Sequence, residues 1–167
     1  MAAPEPRKAT VGQIVINSSL PEGLRDYDRV FDKASMGKFL TNIAGKVDPD
    51  TYAAIVQKLS LIGLRSARSS SKASFTLDHF APPKIKQDII NELKGEVKKI
   101  IAAGLPLEEQ NNLIIETTSK YAEKLPKAIY NEGLKNKNPF SLQILSGSRG
   151  NQGQLNSMRG SDLLYED

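Results

Sequence analysis

The amino-acid sequence predicts a mainly α-helical fold with short β segments and one projecting antiparallel helical hairpin. Apolar residues recur at steps of three and four along two long segments between residues 84 and 133, as on one face of a helix. The link "AAGLPLEEQ" between them contains Gly104 and Pro106 and is too short for anything but a reversal of direction. Two brief apolar runs, at 11–16 and 139–145, are typical of short strands.

Composition limits what the chain can be. Its 167 residues suffice for one domain or one core with an appendage, and the net charge of +4 permits an anionic partner without requiring one. The absence of cysteine excludes disulfides and thiolate metal sites, and the single histidine, His79, cannot build a histidine metal cluster. No apolar run approaches the roughly 18 residues of a membrane span, so we expect no membrane partner.

The first third of the chain is predicted to pass from extended structure to helix. Residues 1–10 are expected to be a disordered lead, and "VGQIVI" at 11–16 a strand or extended segment. A short helix should begin with Ser35 as its cap and stop at Gly45. The clearest helix start is Asp48 followed by Pro49, because aspartate caps free amides and proline at the first helical position loses nothing.

The remaining elements follow from the same signals. Phe75 and Leu77 alternate with polar residues as in a brief strand, and His79 beside them is expected to be a surface or hydrogen-bonded residue. Pro126 should kink or restart the second hairpin helix, since it lacks a donor and its ring crowds the carbonyl of Ala122. "PFSLQIL" then predicts a strand-like run that leads directly into a glycine-rich loop.

That loop, "SGSRGNQGQLNSMRG" at 146–160, has four glycines and two arginines. Its spacing fits neither of the common phosphate-binding patterns, G-x-x-x-x-G-K-[ST] and G-x-G-x-x-G. The glycines permit positive φ and close approach of the backbone to another surface. Arg149 and Arg159 offer planar guanidinium groups for phosphate or carboxylate. By these properties alone it could equally be a solvated linker.

The order of the motifs resembles a known family. "SGSRGNQGQ" followed by "MRG" resembles the S-G-A-R-G-[SN]-x-x-Q and M-R-G motifs of the largest subunit of multisubunit RNA polymerases, beta-prime in bacteria. "TVGQIVIN" with "LPEGL" resembles its T-x-G-R-x-x-x-N and L-P segment, and residues 52–84 resemble its G-[FL]-x-x-A-T, S-[IFL]-x-[IL]-D-D, P-P stretch. Three departures, Gln13 for arginine, His79 for an acidic residue and the short "LNS", suggest a divergent viral or split version.

The resemblance implies a helical funnel region, part of a larger assembly, whose hairpin forms the rim of the secondary channel. The implied organisation is as follows: lead 1–10; end of the pore region 11–34; helical funnel core 35–83; hairpin 84–133; and strand plus glycine-rich loop preceding the bridge helix 139–167.

The resemblance also implies roles for individual residues. Arg149 corresponds to an arginine near the triphosphate of the incoming nucleotide. The rest of the loop would act as scaffold beneath the bridge helix: Ser146, Gly147, Gly150, Asn151, Gln154, Met158, Arg159 and Gly160. The hairpin tip would dock factors of the transcript-cleavage type: Gly104, Leu105, Pro106, Glu108 and Glu109.

In that family the reaction is two-metal nucleotidyl transfer, with Mg²⁺ held by the aspartates of N-A-D-F-D-G-D. The motif is absent from this sequence, so we expect a component of a nucleotidyltransferase that is not catalytic alone and binds no cofactor itself. Implied partners are other polymerase subunits, DNA template, RNA and nucleoside triphosphates, in a cytoplasm or a virion. The alternatives are a stand-alone helical adaptor or nucleic-acid-binding module, and a decoy of the polymerase channel.

Overall fold

A computed structural model describes residues 8–70 and 74–164 of the chain. It divides into two compact units, Met1–Ala73 and Ser74–Asp167. The fold is mainly helical, as predicted. The helices of the first unit are α1 Val11–Ser18, α2 Lys33–Ala44 and α3 Pro49–Ser69; those of the second are α4 Lys84–Ala102, α5 Leu107–Lys135, α6 Pro139–Leu145 and α7 Gln152–Arg159. Short 3-10 turns lie at Glu22–Leu24 and Leu77–Phe80.

The predicted strand at 11–16 is wrong, because this segment is the body of α1. Thr10 and Gln13 form a reciprocal capping box: the Thr10 hydroxyl accepts from the Gln13 amide at 3.2 Å, and the Gln13 side chain accepts from the Thr10 amide at 2.8 Å. Asn17 is fully buried and joins α1 to the following turn. Its side-chain Nδ2 donates to the Asp26 carbonyl, and its Oδ1 accepts the Asp26 amide. These local bonds outweigh the β preference of the valines and isoleucines.

Helices α2 and α3 begin with aspartate caps. In α2 the cap is Asp32 rather than the predicted Ser35, which instead completes a capping box at the third helical position. The predicted stop at Gly45 and the predicted start at Asp48 and Pro49 are both confirmed. Apolar residues from this unit form its core, namely Leu20, Phe39, Ile43 and Ile55.

Helices α4 and α5 form the predicted antiparallel hairpin. Gly104 turns the chain with a φ of 66°, a value that favours glycine. Near the turn, the Gln110 side chain donates to the Ile101 carbonyl at 3.4 Å. Farther away, Lys124 pairs with Glu92 at 2.7 Å, and this bond lowers the pKa of Glu92. From the first pair to the second, the position on α4 goes back from Ile101 to Glu92 while the position on α5 advances from Gln110 to Lys124. The two helices therefore run antiparallel.

Two predicted strands in the second unit are wrong, and the restart considered at Pro126 does not occur. Helix α5 continues through Pro126 without a restart, because the fully buried Leu125 and Ile129 on either side hold it against the core. The predicted strand at 139–145 is helix α6, which starts at an Asn138 cap with Pro139 in the first helical position. The alternating run around Leu77 enters a 3-10 turn.

Within the described residues, no helix combines the length and apolar character needed to cross a bilayer.

Candidate functional site

The glycine-rich segment is a tight connection between α6 and α7, anchored to the last turn of α6. The Gln143 carbonyl accepts the Ser148 amide at 3.0 Å and the Ser146 hydroxyl at 3.1 Å. Gly147 follows with a φ of 68°, which lets the chain leave the helix while these bonds form. The connection is therefore an ordered turn, with Ser146 and Gly147 as parts of its framework.

Gly150 rests directly on an aromatic side chain. Its φ is 74°, and a Cβ placed on it would lie 3.1 Å from the ring of Phe140. Phe140 in turn packs edge-on against Phe75 and Phe80, with ring centroids 5.4 and 6.1 Å away. This aromatic support was not predicted, because the three phenylalanines lie in two segments about 60 residues apart in the sequence.

Asn151 begins helix α7 directly after the loop. Its side chain accepts the Gln154 amide at 2.8 Å, so the predicted loop 146–160 is half helix. Leu155 is fully buried in the core of the second unit with Ile89, Leu125, Ile129 and Phe140. The short "LNS" stretch lies inside this helix. Met158 is more than half exposed and Gln154 is exposed.

The two arginines of the loop have opposite environments. Arg159 is 7% exposed, and it donates to the Glu132 carboxylate at 3.1 Å and to the Ala81 carbonyl at 3.2 Å. Arg149 is exposed and its side chain makes no ion pair within the described part of the chain. Arg149 is therefore the arginine of this loop that can meet an external anion, whereas Arg159 is committed to internal contacts.

His79 is hydrogen-bonded, as predicted. Its Nδ1 accepts the Thr76 amide at 2.9 Å, and its carbonyl accepts the Asn138 side chain at 2.8 Å. Within residues 8–70 and 74–164, no group of three or more His, Asp or Glu side chains is arranged to hold a metal ion.

The hairpin tip carries an acidic depression. Helix α5 begins after Pro106, and no side chain caps its first free amides. A depression of about 360 Å³ lies beside this end, and six residues line it: Pro106, Glu108, Glu109, Asn112, Leu113 and Glu116. Leu105 is half-buried, and Gly104, Glu108 and Glu109 are exposed. Three of the lining side chains are acidic, so the surface suits a basic partner better than an acidic one.

A prediction tests how the loop is held. Gly150→Ala should lower the free energy of unfolding by about 1–3 kcal/mol, because the new methyl group meets Phe140 and the residue keeps a positive φ. Urea denaturation of the full chain measures this. Gly104→Ala is a matched control with the same positive φ but nothing within 4 Å of the new Cβ. An equal loss in both variants would show that the Phe140 contact contributes nothing.

Comparison with known proteins finds the chain similar to a segment of the beta' subunits of bacterial DNA-directed RNA polymerases. Matches covering 92–96% of this chain all bear the name DNA-directed RNA polymerase subunit beta'. The resemblance read from the motifs is confirmed, and the chain is related to a segment of these subunits. No protein-family model matches the chain.

The relatives are bacterial and distant. The beta' subunit of Petrotoga mobilis is 30% identical over 168 residues, which are 96% of this chain and 10% of that subunit. That of Sulfurihydrogenibium sp. is 26% identical over 168 residues, covering 92% of this chain and 11% of the subunit. That of Caldanaerobacter subterraneus is 28% identical over 179 residues, covering 96% and 15%. The chain thus spans between a tenth and a sixth of these relatives' lengths.

Proposed function

We propose that the chain is a segment or split subunit of a DNA-directed RNA polymerase that lines the secondary channel and supports the active site. The observation that carries the proposal is the similarity to beta' subunits over 92–96% of the chain. A similarity confined to the hairpin could reflect helix composition alone. The stand-alone adaptor, the nucleic-acid-binding module and the decoy gain no support from these relatives.

In this proposal Arg149 binds the triphosphate of the incoming nucleotide. The residue is exposed, and its backbone amide points to the Gln143 carbonyl at 3.4 Å, so the loop holds its main chain while the side chain stays available. A guanidinium binds phosphate through two parallel hydrogen bonds. Such contacts position a nucleotide before the reaction.

The other loop residues support Arg149 in this proposal. Ser146 and Gly147 close the end of α6, Gly150 rests on Phe140, and Asn151 caps α7. Gly160 gives a second close approach, because a Cβ there would lie 2.6 Å from Ile129. Gln154 and Met158 are accessible on α7, where the bridge helix of the polymerase would pack.

Metal chemistry would come from another segment. Since the described residues offer no ligand group, the Mg²⁺ that supports nucleotidyl transfer would be held by aspartates elsewhere in the assembly. The acidic hairpin tip would dock factors of the transcript-cleavage type, with Glu108 and Glu109 facing the partner. The assembly would work on DNA and RNA in a cytoplasm or, for a viral polymerase, in a virion.

Arg149→Ala tests the proposal in a polymerase reconstituted from this chain and partners that carry the aspartate cluster. We expect the KM for nucleoside triphosphates to rise by about tenfold or more, the effect of losing one charge-assisted phosphate contact. The measurement is elongation rate against nucleotide concentration. Arg65→Ala, which removes an exposed arginine of α3, is the control and should leave KM unchanged. A wild-type KM in the Arg149 variant would contradict the assignment.

A further inference from the structure

The segment that carries the loop is attached at both ends to the same turn of the chain. At its start, the Asn138 side chain donates to the His79 carbonyl at 2.8 Å. At its end, Arg159 Nε donates to the Ala81 carbonyl at 3.2 Å. Helix α6, the loop and helix α7 therefore form an arch whose two ends rest on residues 79–81.

Arg159 also joins this arch to the long helix α5. Its Nη1 lies 3.1 Å from a Glu132 carboxylate oxygen, and the two side chains are 8% and 24% exposed. A guanidinium is planar, so two bonds to partners on different elements fix its position and its orientation together. A lysine ammonium at the same place would lack that fixed geometry.

The surroundings leave little room for the end of α7 to shift. A Cβ on Gly133 would lie 3.4 Å from Arg159 Nη1, and one on Gly160 would lie 2.6 Å from Ile129. Helix α7 has eight residues, about 12 Å of length at 1.5 Å per residue. The helix is held by the buried Leu155, Asn156 and Arg159, so a displacement at Arg159 would be passed over about two turns to Asn151 and the loop.

We propose that Arg159, held by Glu132 and the Ala81 carbonyl, is a positioning residue that sets the place of Arg149 relative to the nucleotide. This inference rests on the proposed function. Arg159 acts through the loop and does not touch the nucleotide itself. Its predicted signature is a changed KM for nucleotides while the chain still folds and assembles.

The test uses the reconstituted polymerase and two variants that treat the ion pair differently. Arg159→Lys keeps the positive charge beside Glu132 but loses the planar group that reaches Ala81. The double variant Arg159→Met with Glu132→Leu removes both charges and keeps apolar volume, a replacement that often preserves stability. Lys98→Ala, an exposed lysine of α4, is the control.

We expect both variants to assemble and to raise the KM for nucleotides about five- to tenfold, with kcat within about twofold of wild type, as for a displaced binding group. Combined with Arg149→Ala, the double variant should add little, because both changes remove the same contact. Three results would overturn the inference: a wild-type KM in both variants, effects that multiply with that of Arg149→Ala, or loss of assembly in both. If Arg149→Ala itself leaves KM unchanged, the nucleotide role falls and the inference with it.

Discussion

Gly133→Ala is expected to lower the free energy of unfolding by about 3 kcal/mol, the upper range for overpacking a tight contact. Gly133 is buried where α5 meets α6, and a Cβ there would overlap the Ser141 hydroxyl and lie 3.0 Å from its Cβ. Neither helix can withdraw easily, because Leu125 and Ile129 are fully buried on one side and Phe140 is buried on the other. Urea denaturation of the full chain measures the loss.

A matched control and a compensating change sharpen this test. Gly95→Ala lies in α4 with nothing within 4 Å of the new Cβ, so it should stabilise the chain by up to about 1 kcal/mol through helix propensity. Ser141→Ala should restore part of the loss in the Gly133 variant, because it removes the overlapping oxygen. That hydroxyl is buried with no hydrogen-bond partner among the described residues, so its removal leaves no group unpaired. Equal stabilities for the Gly133 and Gly95 variants would contradict the packing described for α5 and α6.

Glu132→Ala should lower the free energy of unfolding by about 3 kcal/mol, because it leaves the Arg159 charge buried without its carboxylate. The Ala81 carbonyl alone cannot offset that charge. The same urea measurement applies. Glu92→Ala is the control: it breaks the ion pair with Lys124, whose two side chains are about half exposed, and should change stability much less.

The double variant Glu132→Leu with Arg159→Met should regain most of the stability lost in Glu132→Ala. A buried ion pair replaced as a unit by apolar side chains is often neutral. If Glu132→Ala and Glu92→Ala cost the same, the contact between Arg159 and Glu132 would have to be as weak as an exposed pair.

Helices were predicted correctly where the sequence has both a capping residue at the start and apolar residues repeating every three or four positions. Asp48 with Pro49 fixed the beginning of α3, and the hairpin followed from its apolar spacing and its link. The strand predictions at 11–16 and 139–145 failed because they relied on β-branched and apolar residues and overlooked the capping residues at the start of each segment. Thr10 with Gln13, and Asn138 with Pro139, are start signals of the same kind, and each begins a helix where a strand was expected.

The contacts that hold the candidate site join residues far apart in the sequence, so local sequence patterns could not predict them. The loop and its exposed arginine were visible in the sequence, but Arg159 bonds to residues 27 and 78 positions away, and Asn138 to one 59 positions away. No periodicity or motif spacing relates such positions. Their pairing is decided by how α5, α6 and α7 pack, so the sequence shows two arginines in one loop but not which of them is buried.

The most direct test of the proposed function is photo-crosslinking in the reconstituted polymerase, with a nucleoside triphosphate whose γ-phosphate carries a photoreactive group. The crosslink should fall within residues 146–151, should be competed by unmodified nucleotide, and should weaken in Arg149→Ala. A transcribing polymerase whose nucleotide crosslinks only to other parts of the assembly would contradict the placement of this loop at the nucleotide.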